Sequence, residues 1–265
     1  MDKIKVLIHG VAGRMGSEVL AAICKEPGIE PVAGVDKAYL GETLSLPDGS
    51  GTLLMAANIH DAIAITSPDV VVDFTNAEGS MVAAREAAAM GVNIVVGSTG
   101  ITDSHLAELG DLGEQHKVGI FMAPNFAIGA ALMIHIAKSL GRYFDYADVI
   151  EMHHEAKIDS PSGTAIALAS ELRSGRNADF VHPDPEREPI EGSRGGQFGG
   201  ISIHSIRMPG RMAHHEVLLG TSGQTFSLRH DTINRECYMP GVILAIREVM
   251  KYDGLKIGLD KLLDL

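Results

Sequence analysis

Two stretches of the chain concentrate residue types that do chemistry. The run "EMHHEAKIDSPSGTA", Glu151 to Ala165, places two adjacent imidazoles, an ammonium and a Pro-Ser-Gly-Thr turn in one short segment. Imidazole carries protons near neutral pH, ammonium binds anions, and a turn that opens a helix offers free backbone N–H groups to a carboxylate. The second stretch, "GVAGRMG", spaces Gly10, Gly13 and Gly16 between a β-branched run and an amphipathic one. Its residues Gly10, Val11, Ala12, Gly13, Arg14 and Met15 are expected to bring main-chain N–H groups and a positive helix end against a pyrophosphate.

Glycine loops also serve plain strand-to-helix packing, so the dinucleotide reading needs a partner. "AGVDK" supplies it: Asp36 lies about 20 residues beyond Gly16, where a carboxylate accepts hydrogen bonds from an adenosine ribose. Lys37 follows at once and can pair with a 2′-phosphate, so both NADH and NADPH are expected as cofactors. Two later strand ends, Gly97, Ser98 and Thr99 in "VVGSTG" and Ala123, Pro124, Asn125 and Phe126 in "FMAPNF", are expected beside the nicotinamide half. The competing explanation for each is backbone shape alone.

Consecutive strand residues face opposite ways, so His153 and His154 do not share a job unless the strand has already ended. Ser160, Pro161, Ser162, Gly163 and Thr164 read as a capped helix start with proline near the first turn. Gly163 and Thr164 would hold a carboxylate, with His154 and Lys157 adding charge-assisted bonds. A zinc site is not expected, because neither "HEAKI" nor "HEVLL" supplies the second histidine of H-E-x-x-H.

The elements that must position these residues follow a βαβ rhythm from "KVLIHG" to "VGIFMAPN", which implies a parallel sheet with helices on both faces and ligands at the carboxyl ends of its strands. After Asn125 the pattern changes. A helix, "AIGAALMIHIAKSLGRYF", precedes the strand "DVIEMHH"; a second helix, "TAIALASELRSG", precedes a Pro- and Gly-rich loop expected to be functional or mobile. Then come strands "ISIHSIRM", "HHEVLLG" and "TFSLRHD", the last two as a hairpin, in an antiparallel or mixed sheet. "PGVILAIREVMKYDG" reads as a terminal helix. The expected organisation is an α/β domain over 1–125, completed by 239–265, with an α+β domain over 126–238 inserted.

A net charge of −12 disfavours nucleic acid and anionic membranes as partners. Cys24 and Cys237 form no disulfide or metal framework, and "MDKIKVLIHG" lacks the features of a signal peptide, so a cytoplasmic protein is expected.

The joint pattern "GVAGRMG", "VVDFT", "VVGSTG", "APNF" and "EMHHEAKIDSPSGTA" resembles the dihydrodipicolinate reductase family, over nearly the entire chain. The His-His-x-x-Lys-x-Asp-x-Pro-Ser-Gly-Thr-Ala run is the most specific part. The resemblance implies a Rossmann-type cofactor domain, a substrate domain whose open sheet builds a homotetramer, and hydride transfer from NADH or NADPH to a cyclic dicarboxylate. It also implies a general acid/base role for His153 and a proton-donor role for Lys157, the sequence leaving open which of the two delivers the proton, and substrate contacts for His154, Gly163 and Thr164. Pro124 and Ala127 depart from the small residues of many relatives at the nicotinamide pocket. Arg207, Arg229, His230 and Arg235 could add positive potential near the substrate mouth, but surface arginines are usually merely solvated, and no role is assigned to them. Two rivals remain: a semialdehyde or homoserine dehydrogenase, the phosphorylating kind needing a nucleophilic cysteine, and a nonenzymatic NAD(H) sensor, which would need no acid beside the nicotinamide.

Overall fold

The computed structural model describes residues 3–38, 41–263 and 265; Met1 and Asp2 of the opening stretch lie outside the described residues. The chain divides into two compact units, Met1–Ala127 with Arg235–Leu265, and Ile128–Asn234.

The first unit begins with β1 (Ile4–His9), α1 (Arg14–Lys25) and β2 (Ile29–Val35). β3 (Thr43–Ser45), β4 (Thr52–Ala56), α2 (Ile59–Thr66), β5 (Val70–Asp73) and α3 (Ala77–Ala89) follow, then β6 (Asn93–Val96), α4 (Asp103–His116) and β7 (Gly119–Met122). The second unit comprises α5 (Ile128–Gly141), β8 (Tyr146–His153), α6 (Gly163–Arg176), β9 (Gly196–Phe198), β10 (Ile201–Arg207), β11 (Ala213–Thr221) and β12 (Gln224–Thr232). The chain then returns to the first unit for α7 (Met239–Val249) and β13 (Gly254–Ile257).

The first sheet runs β13-β7-β6-β5-β1-β2-β4-β3 and is parallel except for β3 against β4. Its central strands are buried on both faces, which is why they read as continuous apolar runs. Leu7, Val71, Ile94 and Ile120 join one core cluster, while the alternate residues Val6, Ile8, Val72, Val95 and Phe121 are equally inaccessible. The strand order reverses between β5 and β1, so the crevice of this open sheet opens beside the loop that follows β1.

The second sheet runs β12-β11-β8-β10-β9 and is mixed, with β8 parallel to β10 and the other pairs antiparallel. α6 turns Ala165, Leu168, Ala169 and Leu172 inward at helical spacing, and these meet Val149, Val217, Leu219 and Ile201 of the sheet. Full burial of each leucine contributes about 1.5–3 kcal/mol. The other face carries Tyr146, Ile206 and Leu218, exposed by 45%, 37% and 37%.

Three features differ from the sequence expectation. The terminal helix stops at Val249 and gives way to β13, which pairs with β7. The Pro- and Gly-rich segment contains β9 and is pinned: Phe180 is buried in the core, and its N–H donates to the Gly199 carbonyl at 2.9 Å. The return to the first unit begins at Arg235, because the short 3-10 turn Arg235–Tyr238 runs directly into α7.

Candidate active site

In the first unit, β1 ends at His9 and the chain turns through Gly10, whose φ of +82° is open to glycine at little cost. A Cβ at Gly16 would run into the Gly10 carbonyl, so α1 can start this close to the loop only with glycine there. Gly13 occupies the cap position of α1 and has no side chain to satisfy the first-turn N–H groups. Ala12, Gly13 and Arg14 are exposed, Met15 is half-buried, and Val11 is fully buried beneath them. Asp36 accepts from the Ala12 N–H at 2.9 Å and from the Ala38 N–H at 2.8 Å. Each of its carboxylate oxygens keeps lone-pair capacity for a ribose hydroxyl. This uncapped helix, glycine-lined approach and strand-end carboxylate fit a dinucleotide, and the exposed Lys37 stands next to that carboxylate.

The other expected cofactor residues have different surroundings. Thr99 and Pro124 are exposed. Asn125 uses its side-chain oxygen on the Ala127 N–H at 2.9 Å, Ala123 is buried, and Phe126 packs against Phe74 and Phe121. Next to the half-buried Gly97, Ser98 is buried, and its hydroxyl donates to Asp73 at 2.7 Å. Asp73 also receives the Thr75 hydroxyl at 2.7 Å and the Ser80 hydroxyl, with His9 Nδ1 2.7 Å away. Sequence reasoning missed this Asp73 cluster, although "VVDFT" ends a strand on an acid.

In the second unit, β8 ends at His153, so the adjacent imidazoles part company: His153 is buried and His154 is exposed. The chain turns through a Lys157 N–H to His154 carbonyl bond of 3.2 Å, and Lys157 Nζ rests on Asp159 Oδ1 at 2.6 Å. That ammonium holds the Asp159 carboxyl below the usual carboxylate range. Ser162 caps α6, its hydroxyl accepting from the Ala165 N–H at 3.2 Å. Pro161 therefore precedes the cap instead of sitting in the first turn. Gly163 and Thr164 open the helix, with N–H groups that have no acceptor within it.

Beneath this turn lies a charge cluster that the sequence reading did not assemble. Glu151 is completely buried, and its Oε2 is 2.5 Å from His153 Nδ1. Arg207, given no role from the sequence, binds both oxygens of Glu151 at 2.8 and 2.7 Å, and the Ser162 N–H reaches Oε1 at 3.2 Å. Burial alone would raise the Glu151 carboxyl, but the His153 and Arg207 hydrogen bonds outweigh it and hold the group far below its ordinary value. His215 Nε2 lies 3.1 Å from the Ser162 hydroxyl, and its ring meets that of His153 edge-on at 5.4 Å. Burial, then the neighbouring His153, pushes His215 down to about 4.

A buried proton carrier, an ammonium and two free amides at a helix start suit binding and protonating an anion. Among the described residues, no group of three His, Cys, Asp or Glu side chains is arranged to hold a metal. The Cys24 thiol is raised by burial and by Asp48, which opposes nucleophilic use.

Comparison with known proteins decides between the rivals. The pattern of the dihydrodipicolinate reductase N-terminus matches residues 4–126, and that of its C-terminus matches residues 127–263. The chain belongs to the dihydrodipicolinate reductase family. A 4-hydroxy-tetrahydrodipicolinate reductase of Dehalococcoides mccartyi is 46% identical over all of both chains. One of Lysinibacillus sphaericus is 41% identical over 98% of this chain and 99% of its own. The dihydrodipicolinate reductase of Paenisporosarcina sp. TG-14, solved with dipicolinate bound, is 38% identical with a TM-score of 0.86, covering 98% of this chain and 99% of its own.

Proposed function

We propose that the chain reduces 4-hydroxy-tetrahydrodipicolinate to tetrahydrodipicolinate with NADH or NADPH, a step of lysine and diaminopimelate biosynthesis. The observation that carries this reading is the grouping of His153, Lys157 and the α6 N-terminus in one unit of a chain matched end to end by the family. The relative holding dipicolinate supports a cyclic dicarboxylate as ligand.

When bound by the first unit, the nicotinamide supplies a hydride. Gly10 to Met15 would hold the pyrophosphate, Asp36 the ribose and Lys37 a 2′-phosphate, while Gly97 to Thr99 and Ala123 to Phe126 would border the nicotinamide. In the second unit the amides of Gly163 and Thr164 bind a substrate carboxylate, assisted by His154. His153 delivers a proton from Nε2, the ring nitrogen not engaged by Glu151, and Lys157 supports the charge that builds up as the ring is reduced. The open face of the second sheet, with Tyr146, Ile206 and Leu218, joins copies of the chain into a homotetramer. Net charge and free cysteines support a cytoplasmic enzyme without nucleic-acid or membrane partners, and no helix among the described residues is long and apolar enough to cross a membrane.

The test is NAD(P)H oxidation with freshly generated substrate. Turnover is expected with both cofactors, and His153→Ala or Lys157→Ala should lower kcat about 10²–10⁴-fold. A folded chain that oxidises neither cofactor overturns the reading.

A further inference from the structure

We propose that Glu151 is the positioning residue of His153: its ionised carboxylate takes the Nδ1 proton and presents Nε2 to the substrate, while Arg207 holds the carboxylate. This rests on the reading of His153 as the proton source. An ionised carboxylate can only accept, so the 2.5 Å contact with Glu151 Oε2 requires that Nδ1 carry the proton. The ring is left with one free nitrogen, Nε2, and its rotation about the side-chain bonds is restrained. A pair two residues apart on one strand shares a face, which is how β8 brings acid and imidazole together without a turn.

The support of the carboxylate itself argues for more than a buried charge being neutralised. Arg207 binds both Glu151 oxygens and also donates to the Asp159 carbonyl at 2.8 Å. Glu151 in turn accepts the Ser162 N–H at the cap of α6. The ion pair therefore fixes the carboxylate that orients the ring of His153, while the guanidinium itself ties down the Asp159 carbonyl of the neighbouring loop. A bidentate guanidinium leaves Glu151 little freedom to swing away, and the arrangement repeats the logic of a carboxylate that sets a catalytic imidazole's tautomer. Burial of Glu151 keeps water from competing with Nδ1 for the carboxylate.

The experiment is a double-substitution cycle read on kcat, with tautomer spectroscopy beside it. Glu151→Gln is expected to lower kcat about 10²-fold or more with little change in the substrate KM, because it acts through the acid rather than on binding. In a His153→Ala background the same change should have less than about a threefold effect, since the residue it serves is gone. Nitrogen NMR of histidine-labelled, unsubstituted protein should find His153 with a proton on Nδ1, and this measurement stands even where Glu151→Gln fails to fold. Near-normal turnover of His153→Ala removes the proton-source reading and the proposal together. A large His153→Ala loss alongside fully additive Glu151→Gln effects, or a neutral His153 protonated only on Nε2, overturns the proposal alone.

Discussion

Asp73 in the first unit and Glu151 in the second are both completely buried carboxylates at or near strand ends, and each has a histidine within hydrogen-bonding distance. Their remaining partners differ. Asp73 is surrounded by the hydroxyls of Thr75, Ser80 and Ser98, which come from the loop after β5, from α3 and from the loop after β6. With His9 at the end of β1, it ties adjacent strand ends of the parallel sheet together. Glu151 instead faces a guanidinium and a helix cap, with the Ser205 side chain as a further donor, and its histidine belongs to the segment with the proton-carrying residues. Hydroxyl donors spread a buried charge without adding one, which suits a scaffold. A bidentate cation holds an acid rigidly ionised, which suits control of a neighbouring ring.

The largest effect that would break this contrast concerns stability. Asp73→Asn keeps the shape but replaces one acceptor with a donor that opposes the surrounding hydroxyls, and it leaves buried polar groups without partners. A loss of about 2–5 kcal/mol is expected in denaturant unfolding, with kcat of the folded fraction at saturating cofactor within about threefold of normal. Should Asp73→Asn instead keep its stability and lose kcat about a hundredfold, both carboxylates serve chemistry and the contrast disappears.

The comparison also explains what the sequence reveals and what it hides. The βαβ strands and the glycine loop are legible because they depend on local pattern: apolar runs buried on both faces, then glycines where a helix must start against a strand. Glu151 and His153 were accessible in principle, since period-two alternation puts both in phase with the buried Ala147 and Val149. Arg207 was not, because its pairing with Glu151 depends on β10 lying parallel beside β8, in a register that sets Arg207 opposite His153. Local pattern does not encode that register. β13 escaped notice for a related reason: "GLKI" is only a short strand, and it becomes one by pairing with the distant β7.

A smaller effect separates the two units by pH. An unfolded histidine protonates near 6.5, whereas His215 in the fold is pushed down to about 4 by burial and then by His153. The unfolded state therefore binds the extra proton first. Stability is full above about 6.5 and falls as the pH drops through that window, by roughly 3 kcal/mol in all. His230, also pushed down by burial, adds in the same direction. Glu151, held far below its ordinary value of 4.5, contributes stability that is lost only at lower pH. Urea titrations across mildly acid pH should show a slope that His215→Gln reduces by about half or more. An unchanged slope would mean that His215 is not buried as the neutral ring.

The smallest expected effect tests the cofactor side, where the charges are exposed. Glu151 is completely buried and Arg207 half-buried, but Lys37 is solvent-facing beside Asp36, so its attraction for a 2′-phosphate is screened. Lys37→Ala should raise the NADPH KM about three- to tenfold and leave the NADH KM unchanged, because only the phosphorylated ribose adds a charge for the ammonium to meet. Raising the ionic strength should shrink the NADPH effect, as expected for an exposed pair, while the Glu151→Gln loss in kcat stays insensitive to salt. Steady-state kinetics with both cofactors at two salt concentrations makes this check. If NADH and NADPH suffer equally, Lys37 supports the β2 strand end and does not read the 2′-phosphate.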